Sequence, residues 1–160
     1  MTQPIPAGYS SVTPSFTFKD CKKAIEFYKK AFGATVKDLM PSLDGKGTMH
    51  ATIQIGNSIL MMGDEMPGNS KCAQSAETTG NSPISLYVYV PNADAAFKQA
   101  IAAGATENMP VAEMFWGDRA GSLKDPFGYS WMLATHTQDL TPDQIKKGAE
   151  AFFAQMSGKK

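Results

Sequence analysis

The 160-residue sequence predicts an α+β protein made of two tandem βαβββ modules followed by a C-terminal helix. Three observations carry this. A strand pattern, an amphipathic helix and a hairpin follow one another near the start. The same order restarts at about residue 83. The second copy closes on "DPFGYSWML", where an Asx-Pro-Phe-Gly turn feeds an aromatic and apolar strand.

The elements follow in order. "SVTPSFTFKD" alternates, with Val12, Phe16 and Phe18 on one face and Thr13, Ser15 and Thr17 on the other, as a half-buried strand does. Asp20 stands where a helix N-cap belongs. Ala24, Ile25, Tyr28, Ala31 and Phe32 form one apolar helical stripe ending at Gly33. "TMHATIQIGNSILMMGDE" alternates again and turns at Gly56-Asn57, with a further strand expected at Thr35 to Met40. Residues 63–82, rich in Gly, Ser, Asn and Thr, read as a linker. The second copy runs from the strand Ile84–Val90, through a helix capped by Asn92 or Asp94, to Gly104. A strand, the "EMFWGDRAG" loop and the closing hairpin complete it. Laying Gly128 on Gly56 pairs Met132 with Leu60 and Ala134 with Met62, an internal repeat of about 70 residues. Thr141 and Pro142 then open a helix whose stripe includes Ile145, Ala149, Phe152 and Phe153. The resulting boundaries are module one at about 9–65, the linker at 63–82, module two at 83–136 and the last helix at 141–157, all within a single domain spanning 1–160.

Composition narrows the function. Net charge is zero, 42% of residues are hydrophobic and 19% are charged. No basic stripe reads out of the sequence, so nucleic acid is not an expected partner. No apolar run approaches the ~20 residues of a membrane span, and the first residues lack a signal-peptide pattern; a cytoplasmic protein is expected. The two cysteines, Cys21 and Cys72, have no framework spacing and read as reduced thiols. The two histidines, His50 and His136, cannot build a zinc site without carboxylates.

Several stretches together, "TPSFTFKDCKKAIEFYKKAFGA", "MHATIQIGNSILMMGDE", "FWGDRAGSLKDPFGYSWMLATH" and "LTPDQI", resemble the vicinal oxygen chelate superfamily of glyoxalase, bleomycin-resistance and dioxygenase proteins. Within it they are similar to the PhnB-like group, over roughly residues 8–148. The resemblance implies a curved mixed sheet forming a cup, and a homodimer. Metal-dependent members carry a ligand on the first strand and one, usually Glu, on the last strand of each module. Carried over, those positions fall on Thr13, on Ser85 with Tyr87, on Leu60 and on Met132, none a His or a carboxylate. No cofactor is therefore expected. The labels of methyltransferase and serine hydrolase find no Gly-rich turn and no nucleophile elbow here.

The expected function is binding of a small organic molecule without metal. The expected ligand-binding residues are Thr13, Ser15, Leu60, Met62, Tyr87, Trp116, Arg119 and Met132, with His50 as the single candidate for acid-base work. Asp118 reads as a loop-holding partner of Arg119, and His136 as a surface residue. One alternative is a divalent-metal lyase, isomerase or dioxygenase using His50 and Glu65, with Glu113 and His136 as further candidates. The other is a non-enzymatic interaction protein using the Phe152-Phe153 helix.

Overall fold

The computed structural model describes residues 3–66, 68 and 72–157, the last two of these by backbone only. Local signals start and stop its helices. Asp20 accepts the Lys23 amide at 3.1 Å and opens α1 (Cys21–Phe32), which Gly33 ends in the left-handed region at φ 64°. Asn92 caps α3 (Ala93–Ala103) through the Ala95 amide, and Gly104 closes it at φ 116°. A short α2 (Ala76–Thr79) sits in the expected linker, held by Glu65, whose carboxylate accepts the Ser75 amide and the Thr78 hydroxyl. Of that linker, residues 67 and 69–71 lie outside the described residues. Thr141 and Gln144 cap each other reciprocally at the start of α4 (Pro142–Ser157).

Each module forms its own four-stranded mixed sheet. In module one, β1 (Ser15–Phe18), β4 (Ser58–Asp64), β3 (Thr48–Ile55) and β2 (Thr35–Pro41) lie in that order. In module two the order is β5 (Ser85–Tyr89), β8 (Ser130–His136), β7 (Asp118–Lys124) and β6 (Thr106–Glu113). The first strand of each module runs parallel to the last, and the other neighbours are antiparallel. β1 begins at Ser15 rather than near Val12, which is exposed ahead of it.

One core joins the modules. Phe16 and Phe18 of β1, Phe27, Tyr28 and Phe32 of α1, and Phe127, Tyr129 and Trp131 pack in edge-to-face and tilted pairs 4.6 to 6.4 Å apart. Each such pair adds about 0.5–1.5 kcal/mol beyond the area it buries. Asp125 sits in this core as the hinge of the Asx-Pro-Phe-Gly turn. Its Oδ1 accepts the Phe127 and Tyr129 amides, and its Oδ2 accepts the Tyr28 hydroxyl at 2.6 Å and the Trp131 indole at 2.9 Å. Gly128 completes the turn at φ 94°, a backbone that favours glycine. The Tyr129 hydroxyl donates to the Thr17 carbonyl at 2.7 Å and lies 3.3 Å from the Thr17 amide, which satisfies part of the free edge of β1.

Candidate ligand-binding site

Strand alternation settles which side chains face the helices and which the open side of each sheet. In module one the helix side takes Phe16, Phe18, Ile53, Leu60 and Met62, all buried. The open side takes Ser15, Thr17, His50, Thr52 and Met61. This corrects the expected place of Met62, which belongs to the core; Leu60, buried on the same side, still borders a cavity beside β5. The physical reason is one residue of turn. Gly56 and Asn57 alone separate Ile55 from Ser58, whereas Pro126, Phe127 and Gly128 separate Asp125 from Tyr129, whose backbones pair. The repeat thus matches Met132 to Met61 rather than to Leu60, and a one-residue slip exchanges the faces. Thr13 lies ahead of β1 and donates its hydroxyl to the Ser10 carbonyl.

The N-terminal segment crosses the open side of module one. The Tyr9 and Thr52 hydroxyls are hydrogen bonded at 3.2 Å, and His50 Nε2 lies 3.1 Å from the Thr52 hydroxyl. His50 is thus engaged with its own strand.

Module two carries the densest polar cluster on an open face. Its centre is Asp118, at the start of β7, only 2% exposed. Oδ2 of Asp118 accepts the Tyr87 hydroxyl at 2.7 Å, the Tyr89 hydroxyl at 3.1 Å and the Trp116 indole at 3.0 Å. Oδ1 lies 2.8 Å from His136 Nδ1, and His136 Nε2 lies 3.1 Å from Asp139. Burial pushes the Asp118 carboxyl up, but the hydrogen bonds from Tyr87, His136, Tyr89 and Trp116 together outweigh it and hold it below the usual carboxylate range. Burial first, then the hydrogen bond to Asp118, pushes the Tyr87 hydroxyl up to about 12, and the same causes raise Tyr89. Asp118, and next Asp139, raise the His136 imidazole above its ordinary value by hydrogen bonding to its two nitrogens.

The cluster fixes ring edges and leaves ring faces open. Tyr87 and Tyr89, 5.0 Å apart, are 43% and 64% exposed, and Trp116 is half-buried beside them. Met132 pairs with Tyr87 on the same face and floors the wall. A cavity of about 490 Å³ opens between Leu86–Tyr89 and the segment around Val12, with Leu60 and Trp131 on its border. Three donors converge on Oδ2 of Asp118 and His136 stands at Oδ1, so this carboxylate orients its neighbours.

Arg119 is corrected. Its neighbour Asp118 faces the open side, so alternation sends Arg119 to the other, where it binds Asp94 of α3 at 2.6 and 2.7 Å and Glu113 at 3.3 Å. Asp118, expected to be its partner, is instead the hub, and His136 is a member of the site rather than a bystander. A sequence signal for this existed: Trp116 and Asp118 share parity along the chain, as do Met132 and His136, and as do Tyr87 and Tyr89.

The donor set does not fit a divalent ion. The open-face pairs on the first and last strands are Ser15 with Met61 and Tyr87 with Met132, hydroxyls and thioethers rather than imidazoles and carboxylates. Among the described residues no three of His, Cys, Asp and Glu converge as metal ligands. Glu65 is spent on α2 and Glu113 on Arg119. Burial pushes the Cys21 thiol up to about 12, which removes it as a nucleophile.

Two βαβββ modules sharing a core, each with an open sheet face, define a paired-module α+β protein. The family model described as Glyoxalase/Bleomycin resistance protein/Dioxygenase superfamily matches residues 12–133, and the chain belongs to that superfamily. An uncharacterised protein of Mycobacterium bovis is 33% identical over 139 residues, covering 85% of this chain and 90% of its own length. One from Mycobacterium tuberculosis is equally identical, with 80% of its length covered. Among solved structures, TioX from Micromonospora sp. ML1 matches with a TM-score of 0.64 at 23% identity, over 79% of this chain and 98% of that one. A gene product of Arabidopsis thaliana matches at 0.60 with 27% identity, over 79% and 98%. A protein of Bacillus cereus described as a putative 3-demethylubiquinone-9 3-methyltransferase, PhnB protein, matches at 0.61 with 20% identity, over 79% and 99%.

Proposed function

We propose that this protein binds a small organic molecule with a planar aromatic part, without a metal, on the Tyr87–Tyr89–Trp116 wall of module two. The observation that carries the reading is the hub: one buried carboxylate pins three aromatic side chains by their polar edges while their faces stay open. Rings held this way lose little rotamer freedom on binding, so stacking contributes with a small ordering cost. Tyr87, Trp116 and Met132 remain in the proposed site, joined by Tyr89, Asp118 and His136. Ser15 and His50 belong to the open face of module one, where Tyr9 reaches Thr52 beside His50. A cytoplasmic homodimer goes with this reading, its contacts drawn from the exposed Leu39 and Met40 of edge strand β2. Sedimentation at rising concentration reads the assembly. No helix among the described residues is long and apolar enough to cross a membrane.

The test is a titration with two fluorescent planar probes, thioflavin T and 8-anilinonaphthalene-1-sulfonate, in buffer containing EDTA. At least one should bind, and Trp116→Ala and Tyr89→Ala should each weaken it about tenfold or more, as loss of a stacking partner worth about 1–3 kcal/mol requires. Binding untouched by both substitutions sinks the reading. Binding abolished by EDTA returns the metal-dependent alternative.

A further inference from the structure

A second groove lies away from this wall, along α1. It has a volume of about 710 Å³ and is lined by Lys19, Lys22, Lys23 and Lys30 on the α1 side and Lys46 across from them. Lys22 reaches over to donate to the Lys46 carbonyl at 3.2 Å, which ties the two walls together. Three carboxylates also line it, and each is already engaged. Asp20 pairs with Lys23, Glu26 pairs with Lys29, and Asp64 accepts the Cys21 and Thr48 amides at 2.6 Å each. Lys19, Lys22, Lys30 and Lys46 make no ion pair among the described residues. With five ammonium groups against three carboxylates, the lining of this groove carries a net charge of +2 in a chain of zero net charge.

This arrangement works against the stability of the fold. Lys22 and Lys23 occupy the first turn of α1, where no acidic residue stands and where cations are disfavoured by the helix dipole. Asp20 and Asp64 already take amides there, so the groove's unspent capacity for an anion lies in its lysine side chains. The lining also has an apolar part, Phe27, Ala103 and Pro126.

We propose that this groove binds a small organic anion carrying two or more phosphate groups. Lys19, Lys22, Lys30 and Lys46 meet the charge, and the organic part lies against Phe27 and Pro126. Ammonium groups on flexible stems suit several phosphates as point charges. The apolar part of the lining predicts that a nucleoside diphosphate binds better than the bare phosphates.

Calorimetric titration of the full chain with inorganic pyrophosphate and with ADP, at 20 and 200 mM salt, tests this. ADP should bind more tightly than pyrophosphate, both should weaken at the higher salt, and the Lys22→Glu/Lys46→Glu double variant should lose at least tenfold in affinity. Lys98→Glu, outside the groove, should bind as the parent does. If the double variant does not fold, Lys46→Gln in the 42–47 loop replaces it and should lose severalfold. The proposal is overturned if neither probe binds, or if the lysine variants bind unchanged. It is equally overturned if sulfate at equal ionic strength displaces ADP as well as pyrophosphate does, which marks an adventitious ion only. Much tighter capture of a single-stranded RNA oligomer than of ADP would assign the groove to a polymer and overturn it as well.

Discussion

His136 is where the chemistry of the hub can be read against pH. Its ring is raised from the ordinary 6.5 by Asp118 and Asp139, while the hydrogen bonds to Asp118 hold that carboxyl below its ordinary 3.8. A base raised on folding contributes stability that is complete below pH 6.5 and is lost as pH rises through its folded value. An acid lowered on folding contributes above pH 3.8 and loses this as pH falls through its folded value. The pair is therefore at full strength between these limits. His136→Gln should lose more stability relative to the parent at pH 5.5 than at pH 9, measured by urea denaturation at both. An equal loss at both would mean that the ring acts only as a spacer. The members of this hub come from β5, the 114–117 loop, β7 and the end of β8, so no window of sequence contained them. What the sequence held was parity within each strand, and Asp118 and Arg119, read as a pair because they adjoin, point to opposite faces for that reason.

At the scale of elements, caps and turns were legible because their chemistry is local. Asp20, Gly33, Asn92, Gly104, Thr141 and the Asx-Pro-Phe-Gly turn all sit where their side chains and φ angles require. Facing was less legible, since it depended on whether a hairpin turns in two residues or three. Helix α4 shows the same limit. Its stripe was readable but its docking partner was not: it rests on the 114–117 loop, with Gly148 against Phe115 and Phe152 5.6 Å from the Phe115 ring. Phe115 packs edge-on to Trp116 at 4.9 Å, and Gly117 accepts the Thr137 and Gln138 amides at the root of the helix. The loop thus carries α4 on one residue and the aromatic wall on the next. Phe115→Ala should cost about 1–2 kcal/mol, below the 3–5 of a fully buried Phe, because the site is half-buried. It should also raise acrylamide quenching of Trp116, the more exposed of the two tryptophans, whereas Phe115→Tyr should not. Unchanged quenching in the alanine variant would disconnect the helix from the wall.

For the whole molecule the question is what makes two modules one folding unit. The modules do not share a sheet; their sheets are separate and the join is side-chain packing around Asp125. Burial pushes the Asp125 carboxyl up, against the hydrogen bonds from Tyr28, Trp131 and the turn amides that favour its charged form. A half-satisfied buried group is costlier than an apolar one, so the value of Asp125 lies in having all four donors served. Asp125→Asn keeps an oxygen for the Phe127 and Tyr129 amides but turns an NH₂ toward Tyr28 and Trp131. The Tyr28 hydroxyl can reverse and accept, but the Trp131 indole can only donate, so one buried donor is left facing another. The expected cost is about 1–3 kcal/mol, the penalty for an unsatisfied buried group. Chemical denaturation followed by Trp131 emission measures it. The two modules should still unfold in one transition, because the aromatic pairs across the join survive the substitution; a second transition would show that Asp125 itself couples them.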